Sequence, residues 1–164
     1  LAGRLQIAVC GSSRPEDGAD ELAEEVGRLL AEAGATVVCG GLTGVMEAVA
    51  RGAAGAGGVT VGIVPGSDVE AANEHCTHVV ATGIGHARNV AVVASAAAAI
   101  AIGGQWGTLS EIGLARALGR PVVTLASWEL QGAGPVRSAP GVVAATNPRE
   151  AVARALELAR AQPE

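Results

Sequence analysis

The chain has 164 residues, 49% of them hydrophobic and 16% charged, with a formal net charge of −5, the make-up of one packed globular domain. The acidic balance and the scattered arginines argue against a nucleic-acid scaffold, which would carry a basic face. There is no lysine, which excludes a Schiff-base pyridoxal-phosphate enzyme and a P-loop ending in Gly-Lys-Ser/Thr, and no Phe or Tyr, so the core has to be built from Ala, Val, Leu and Ile.

The pattern along the chain alternates between short apolar runs and helical spacing. A strand is expected over 5–10, then a helix over 19–33, where Leu22, Val26, Leu29 and Leu30 share one face and acids occupy the other. Gly34 stops that helix ahead of a strand over 36–39. A short helix over 44–55 and a strand over 59–64 follow, closed by Pro65-Gly66 turn chemistry. A weak strand over 78–81, a helix over 87–95, a buried strand over 98–102 and a helix over 108–118 come next. The chain continues with a strand over 121–125, a Gly- and Pro-rich loop over 127–141 and a short strand over 142–145. A last helix over 148–161 has clear entry signals: Asn147 to cap it, Pro148 at its first position and Glu150 in its first turn.

Nearly all-apolar strands alternating with helices point to a parallel sheet covered on both faces. The expected fold is α/β, a Rossmann-like doubly wound sheet in three layers, with residues 1–164 forming a single nucleotide-binding domain. Cys10, Cys39 and Cys76 are odd in number and match no zinc or disulfide framework, so a reducing, cytoplasmic setting is expected. His75-Cys76-Thr77-His78 invites a metal, but no second ligand cluster accompanies it, and no metal site is expected. No apolar run reaches a membrane span without interruption, so neither a membrane nor a nucleic acid is an expected partner.

Doubly wound sheets bind ligands beyond the carboxyl ends of their strands. Five segments at that edge are rich in Gly, Ser or Thr: Gly11-Ser12-Ser13-Arg14, Gly40-Gly41-Leu42-Thr43-Gly44, Pro65-Gly66-Ser67, Thr82-Gly83-Ile84-Gly85 and Gly103-Gly104-Gln105-Trp106-Gly107-Thr108. Turns need glycine anyway, but five on one edge favour a phosphate-bearing ligand cradled by backbone N–H groups.

Within the last segment Thr108-Leu109-Ser110-Glu111 fits a capping box, with Thr108 as cap and Glu111 in the first turn, where the helix dipole favours an ionised carboxylate. At a nucleotide site the same acid would face the sugar rather than the phosphate, and could stabilise charge developing on the ribose or activate water. Arg88, at a helix start, opposes the dipole, which suggests that it pairs with Glu111 or with a phosphate; a solvated surface arginine is the alternative. Trp106 either stacks on a base or packs as a lid on the core, and His86 is either a polar contact or a loop residue.

The motifs then combine. "CGGLTGVMEAVARGAAGAGGVTVGIVPG" (39–66), "GGQWGTLSE" (103–111), "ARNV" (87–90) and "CGSS" (10–13) occur in the order found in the LOG-like proteins, whose signature is PGGxGTxxE. The chain resembles that family over nearly its whole length. The family includes cytokinin-activating phosphoribohydrolases, bacterial proteins labelled lysine decarboxylases, and molybdenum-cofactor carrier proteins. The resemblance implies a homodimer or homotetramer. It also implies a nucleoside 5′-monophosphate phosphoribohydrolase that cleaves the N-glycosidic bond to free base and ribose 5-phosphate, with no required cofactor.

Arg88 and Glu111 would then be the catalytic pair. Gly104, Gln105, Gly107 and Thr108 would form the phosphate loop, and Gly11, Ser12, Ser13, Gly41, Thr43, Gly44 and Met46 would line the nucleotide. The chain departs from the motif at Gly103, where the family has proline, and at Gln105, where it has glycine; Asn89 stands where the hydrolases carry lysine. "ARNV" and "GTLSEI" are closer to the branch with the molybdenum-cofactor carriers. The alternative function is therefore a non-catalytic carrier that binds a phosphorylated ligand such as the molybdenum cofactor. A lysine decarboxylase is excluded for a chain without lysine.

Overall fold

Ile7, Val9, Val37, Ile100 and Ile102 belong to runs too apolar to leave either face of a strand in water, and the fold buries all of them completely. The computed structural model describes residues 5–14, 16–131 and 139–161. In chain order the elements are β1 (Gln6–Gly11), α1 (Ala19–Glu32), β2 (Thr36–Cys39), α2 (Val45–Gly55), β3 (Val59–Val64) and β4 (His78–Ala81). They continue with α3 (Arg88–Ala94), β5 (Ala98–Ile102), α4 (Trp106–Ala117), β6 (Val122–Leu125), β7 (Val142–Ala145) and α5 (Pro148–Arg160).

The strands form one seven-stranded sheet in the order β4-β3-β2-β1-β5-β6-β7, and every recorded pairing is parallel. The order reverses direction between β1 and β5, where Gly11 pairs with Ile102 at the carboxyl ends. This is the expected three-layer Rossmann-like α/β fold. Residues 132–138 of the Gly- and Pro-rich loop lie outside the described residues.

Two apolar layers hold the sheet. On one face α1, α2 and α5 pack over Ile7, Val9, Val37, Ile100 and Val123; on the other α3 and α4 cover Ala8, Val38, Ala99 and Ala101. Small residues let the layers approach closely, in keeping with a core that has no Phe or Tyr. The α1–α2 crossing shows how close. A Cβ on Gly27 would lie 2.0 Å from the Val49 carbonyl oxygen, and one on Gly52 would lie 1.9 Å from that of Glu24, so each helix needs its glycine to accept the other's backbone.

The expected cap of α5 is present. Asn147 accepts the Glu150 N–H at 2.9 Å, and Glu150 accepts both the N–H and the hydroxyl of Thr146. Those bonds hold the Glu150 carboxyl down at about 2. No helix among the described residues is long and apolar enough to cross a membrane.

Candidate functional site

The switch point between β1 and β5 leaves a crevice that the adjoining turns cannot fill, because their residues are small. It is a cavity of about 590 Å³ lined by Gly11–Arg14, Leu42 and Met46, His86, Arg88 and Asn89, Gly104–Thr108, Glu111 and Trp128. Its charged side chains include two arginines against one carboxylate, the reverse of the net charge of the chain.

Ten of the expected site residues line this cavity: Gly11, Ser12, Ser13, Met46, Arg88, Gly104, Gln105, Gly107, Thr108 and Glu111. Gly41, Thr43 and Gly44 are not among the lining residues, and each makes a structural contact. Gly41 (φ 72°) packs against Gly62 and Val64 of β3. The Thr43 hydroxyl donates to the Ser13 carbonyl at 2.8 Å. Gly44 (φ 65°) lets the second turn pass under the first, where a Cβ would meet the Ser12 carbonyl oxygen at 2.4 Å. The β2 turn thus supports the β1 turn through Thr43 and Gly44, while Leu42 of the same turn reaches the cavity.

Helix α4 overturns the capping-box expectation. It starts at Trp106, two residues earlier than expected, with Gln105 at the cap position and no side chain capping it. Thr108 consequently lies inside the first turn, 1% exposed, and its hydroxyl has no hydrogen-bond partner. Glu111 falls in the second turn, beyond the reach of the dipole, and is buried. Burial pushes its carboxyl up to about 7, against the pull of the Arg88 charge and a hydrogen bond with the Cys10 thiol. The acid expected to be firmly ionised is instead poised near neutrality. Cys10 is itself pushed up, by burial first and then by Glu111.

Arg88 is not a surface arginine. Only 7% exposed, it opens α3 and lies against the Gly40 backbone, where a Cβ would meet its Nη2 at 2.6 Å. One Nη donates to Asn89, while Nε has no partner. Among the described residues no carboxylate forms an ion pair with it, so the expected contact with Glu111 is absent. A buried cation without a direct ion pair is costly, and that cost is relieved when an anion binds against it.

The glycine loop is built differently from the motif it resembles. Gly103 has φ 75°, which proline cannot adopt, so glycine in place of the motif's proline is a conformational requirement here. Gln105 has φ −92° and ψ 166°, extended backbone open to any residue, and its side chain replaces the motif's glycine without strain. The Gly104 N–H is already used: it donates to Glu16 Oε2 at 3.2 Å, while Glu16 Oε1 is buried without a partner.

Arg14, Leu42, Asn89 and Trp128 line the cavity without having been marked as site residues. Trp128 sits in the loop after β6, and the signal that could have found it was scarcity, because it and Trp106 are the only aromatic residues in the chain. Its indole N–H donates to the Gln105 carbonyl at 3.2 Å, and its ring lies 5.2 Å from that of Trp106.

Solved structures with the same fold include the molybdenum cofactor binding protein from the phototrophic bacterium Rippkaea orientalis. It is 28% identical with a TM-score of 0.86, over 96% of this chain and 99% of that one. The molybdenum cofactor carrier protein of Chlamydomonas reinhardtii is 27% identical with a TM-score of 0.83, over 95% and 98%. An uncharacterized protein of Archaeoglobus fulgidus is 42% identical over 121 residues, 74% of this chain and 80% of its own length. The sequence model of the SLOG cluster4 family matches residues 4–152, and the chain belongs to that family.

Proposed function

We propose that the protein is a binding or carrier protein for a small phosphorylated ligand, and that this ligand is a pterin phosphate of the molybdenum-cofactor type. The observation that carries the reading is the pair of orphaned polar groups in one cavity, Arg88 Nε and Thr108 Oγ1, both buried and both without a partner. Beside them is the uncapped N-terminus of α4, whose first N–H groups favour an anion. A phosphate has the charge and the acceptors to satisfy all three. Arg88, Thr108 and the Gly107 N–H would hold it, with Ser12 and Ser13 of the β1 turn closing the other side. The likeness to a molybdenum cofactor binding protein and to a molybdenum cofactor carrier protein, each over nearly its full length, favours the pterin over other phosphorylated ligands.

A second reading, hydrolysis of a nucleoside monophosphate, rests on Glu111 alone. A carboxyl poised near 7 is suited to exchange a proton with an attacking water or a leaving base. One experiment separates the two readings. The purified protein is incubated with AMP and other nucleoside monophosphates, and the small molecules retained after gel filtration are identified by mass spectrometry. Retention of a co-purified phosphorylated pterin or of the added nucleotide intact, without release of free base, supports the carrier. Catalytic release of base that is lost in Glu111→Ala supports the hydrolase.

A further inference from the structure

The phosphate reading accounts for Arg88 and Thr108 but leaves Trp106 unexplained. This chain builds its core without a single Phe or Tyr, and its two tryptophans come from separate elements, the start of α4 and the loop after β6. They meet at the rim of one cavity. Trp128 is the anchored member: it packs on the apolar layer beneath α3 and α4 and donates to the Gln105 carbonyl. Trp106 is 77% exposed. A ring so placed is not a lid on the core, and an indole left in water forgoes a large apolar burial.

The two rings are tilted by 40°, so Trp128 steadies Trp106 without covering it. The chain reaches this arrangement through Ala126, the one non-glycine residue with positive φ among the described residues, at 47° just after β6. That backbone conformation is uncommon for a residue with a side chain, and it lies two residues before Trp128.

We infer that Trp106, braced by Trp128, is the platform on which a planar fused-ring nitrogen heterocycle of the ligand stacks. Trp106 thereby sets the ligand class as ring plus phosphate rather than a sugar phosphate alone. The inference rests on the phosphate reading of the same cavity and adds the ring end to it. Stacking on an indole tolerates any flat π-system, so pterin and purine both meet the requirement, and hydrogen bonds elsewhere decide between them.

The test uses three probes: ribose 5-phosphate (anion, no aromatic ring), AMP (the same anion with a purine) and 6-hydroxymethylpterin (aromatic ring, no phosphate). With no Tyr or Phe present, the intrinsic fluorescence comes from these two tryptophans alone, so a ring that stacks there quenches it directly. Calorimetry then compares wild type with Trp106→Leu and Trp106→Phe; the site is exposed, and thermal melts confirm that both variants stay folded. The expected result is that AMP or the pterin quenches and that Trp106→Leu weakens it by roughly 10- to 100-fold, the loss of one stacked ring. Trp106→Phe recovers part of that loss, and ribose 5-phosphate binding is unchanged in both variants. If ribose 5-phosphate binds through Arg88 but the ring-bearing probes gain nothing from Trp106, the platform is overturned and the phosphate reading stands. If no probe binds, both are overturned.

Discussion

Arg88 and Glu111 line the same cavity with opposite formal charges, yet no ion pair joins them. Arg88 is held by Asn89 and by the Gly40 backbone, while Glu111 is turned toward Cys10 on β1. A direct salt bridge would neutralise the site. Keeping the two apart leaves a buried guanidinium with unused donors, which is the feature an anion recognises.

Arg88→Met keeps most of the apolar stem and removes the charge. Binding of ribose 5-phosphate is expected to fall by at least about tenfold, since hydrogen bonds to charged groups contribute roughly 1.5–3 kcal/mol each. The ligand-free variant melts no lower than wild type, because it no longer buries an unpaired charge. A variant that melts much lower while binding normally would make Arg88 a packing residue.

Glu111 gives a pH signature. Its carboxyl titrates near 7 in the fold and at the ordinary 4.5 when unfolded. Between those values the folded chain holds more protons than the unfolded one, so stability declines as pH rises through the window and levels off above about 7. The total is on the order of a few kcal/mol. Glu111→Gln removes the step, so its melting temperature stays flat across the window and exceeds that of wild type at pH 8. Parallel profiles for the two proteins would mean that Glu111 is ionised throughout.

Glu16 presents its carboxylate to the Gly104 N–H, beside the helix start where a phosphate is expected. Glu16→Gln keeps a hydrogen-bond acceptor and removes the negative charge. Affinity for ribose 5-phosphate should rise by about 2- to 5-fold, the range for one charge near a helix terminus. A fall would show that Glu16 orders the glycine loop more than it opposes the ligand.

The α1–α2 crossing supplies a prediction independent of the site. Gly52→Ala drives a methyl group into the Glu24 carbonyl, where backbone has to move, at a cost of roughly 1–3 kcal/mol in thermal or urea unfolding. Gly113→Ala, on a helix where the added Cβ meets nothing, is the control and should be neutral or stabilising.

Periodicity and turn chemistry carried the architecture, because buried parallel strands and amphipathic helices write their faces directly into the sequence. The expected bounds of β2, β3, β4, β5 and β7 match the structure, as do Asn147 and Pro148 at the start of α5. The site was legible as a set of turns but not as a geometry. Thr108 and Glu111 satisfied the spacing of a capping box, and nothing local showed that the helix would start at Trp106 and turn both residues inward. Gly41, Thr43 and Gly44 make structural contacts outside the cavity lining, and the sequence does not separate such support from ligand contact because both demand the same small residues. Trp128 lay in an irregular loop after β6, where neither periodicity nor turn chemistry shows that the side chain comes back to the cavity.

The central claim is that the cavity holds a phosphorylated ligand through Arg88 and Thr108 and releases it unchanged. The most direct measurement is a calorimetric titration with a phosphorylated pterin on wild type, Arg88→Met and Thr108→Val, with the ligand recovered and analysed by mass spectrometry. Saturable one-to-one binding by wild type, weakened in both variants, with the ligand recovered intact, is the expected result. Equal binding by all three proteins, or recovery of a cleaved product, would contradict it.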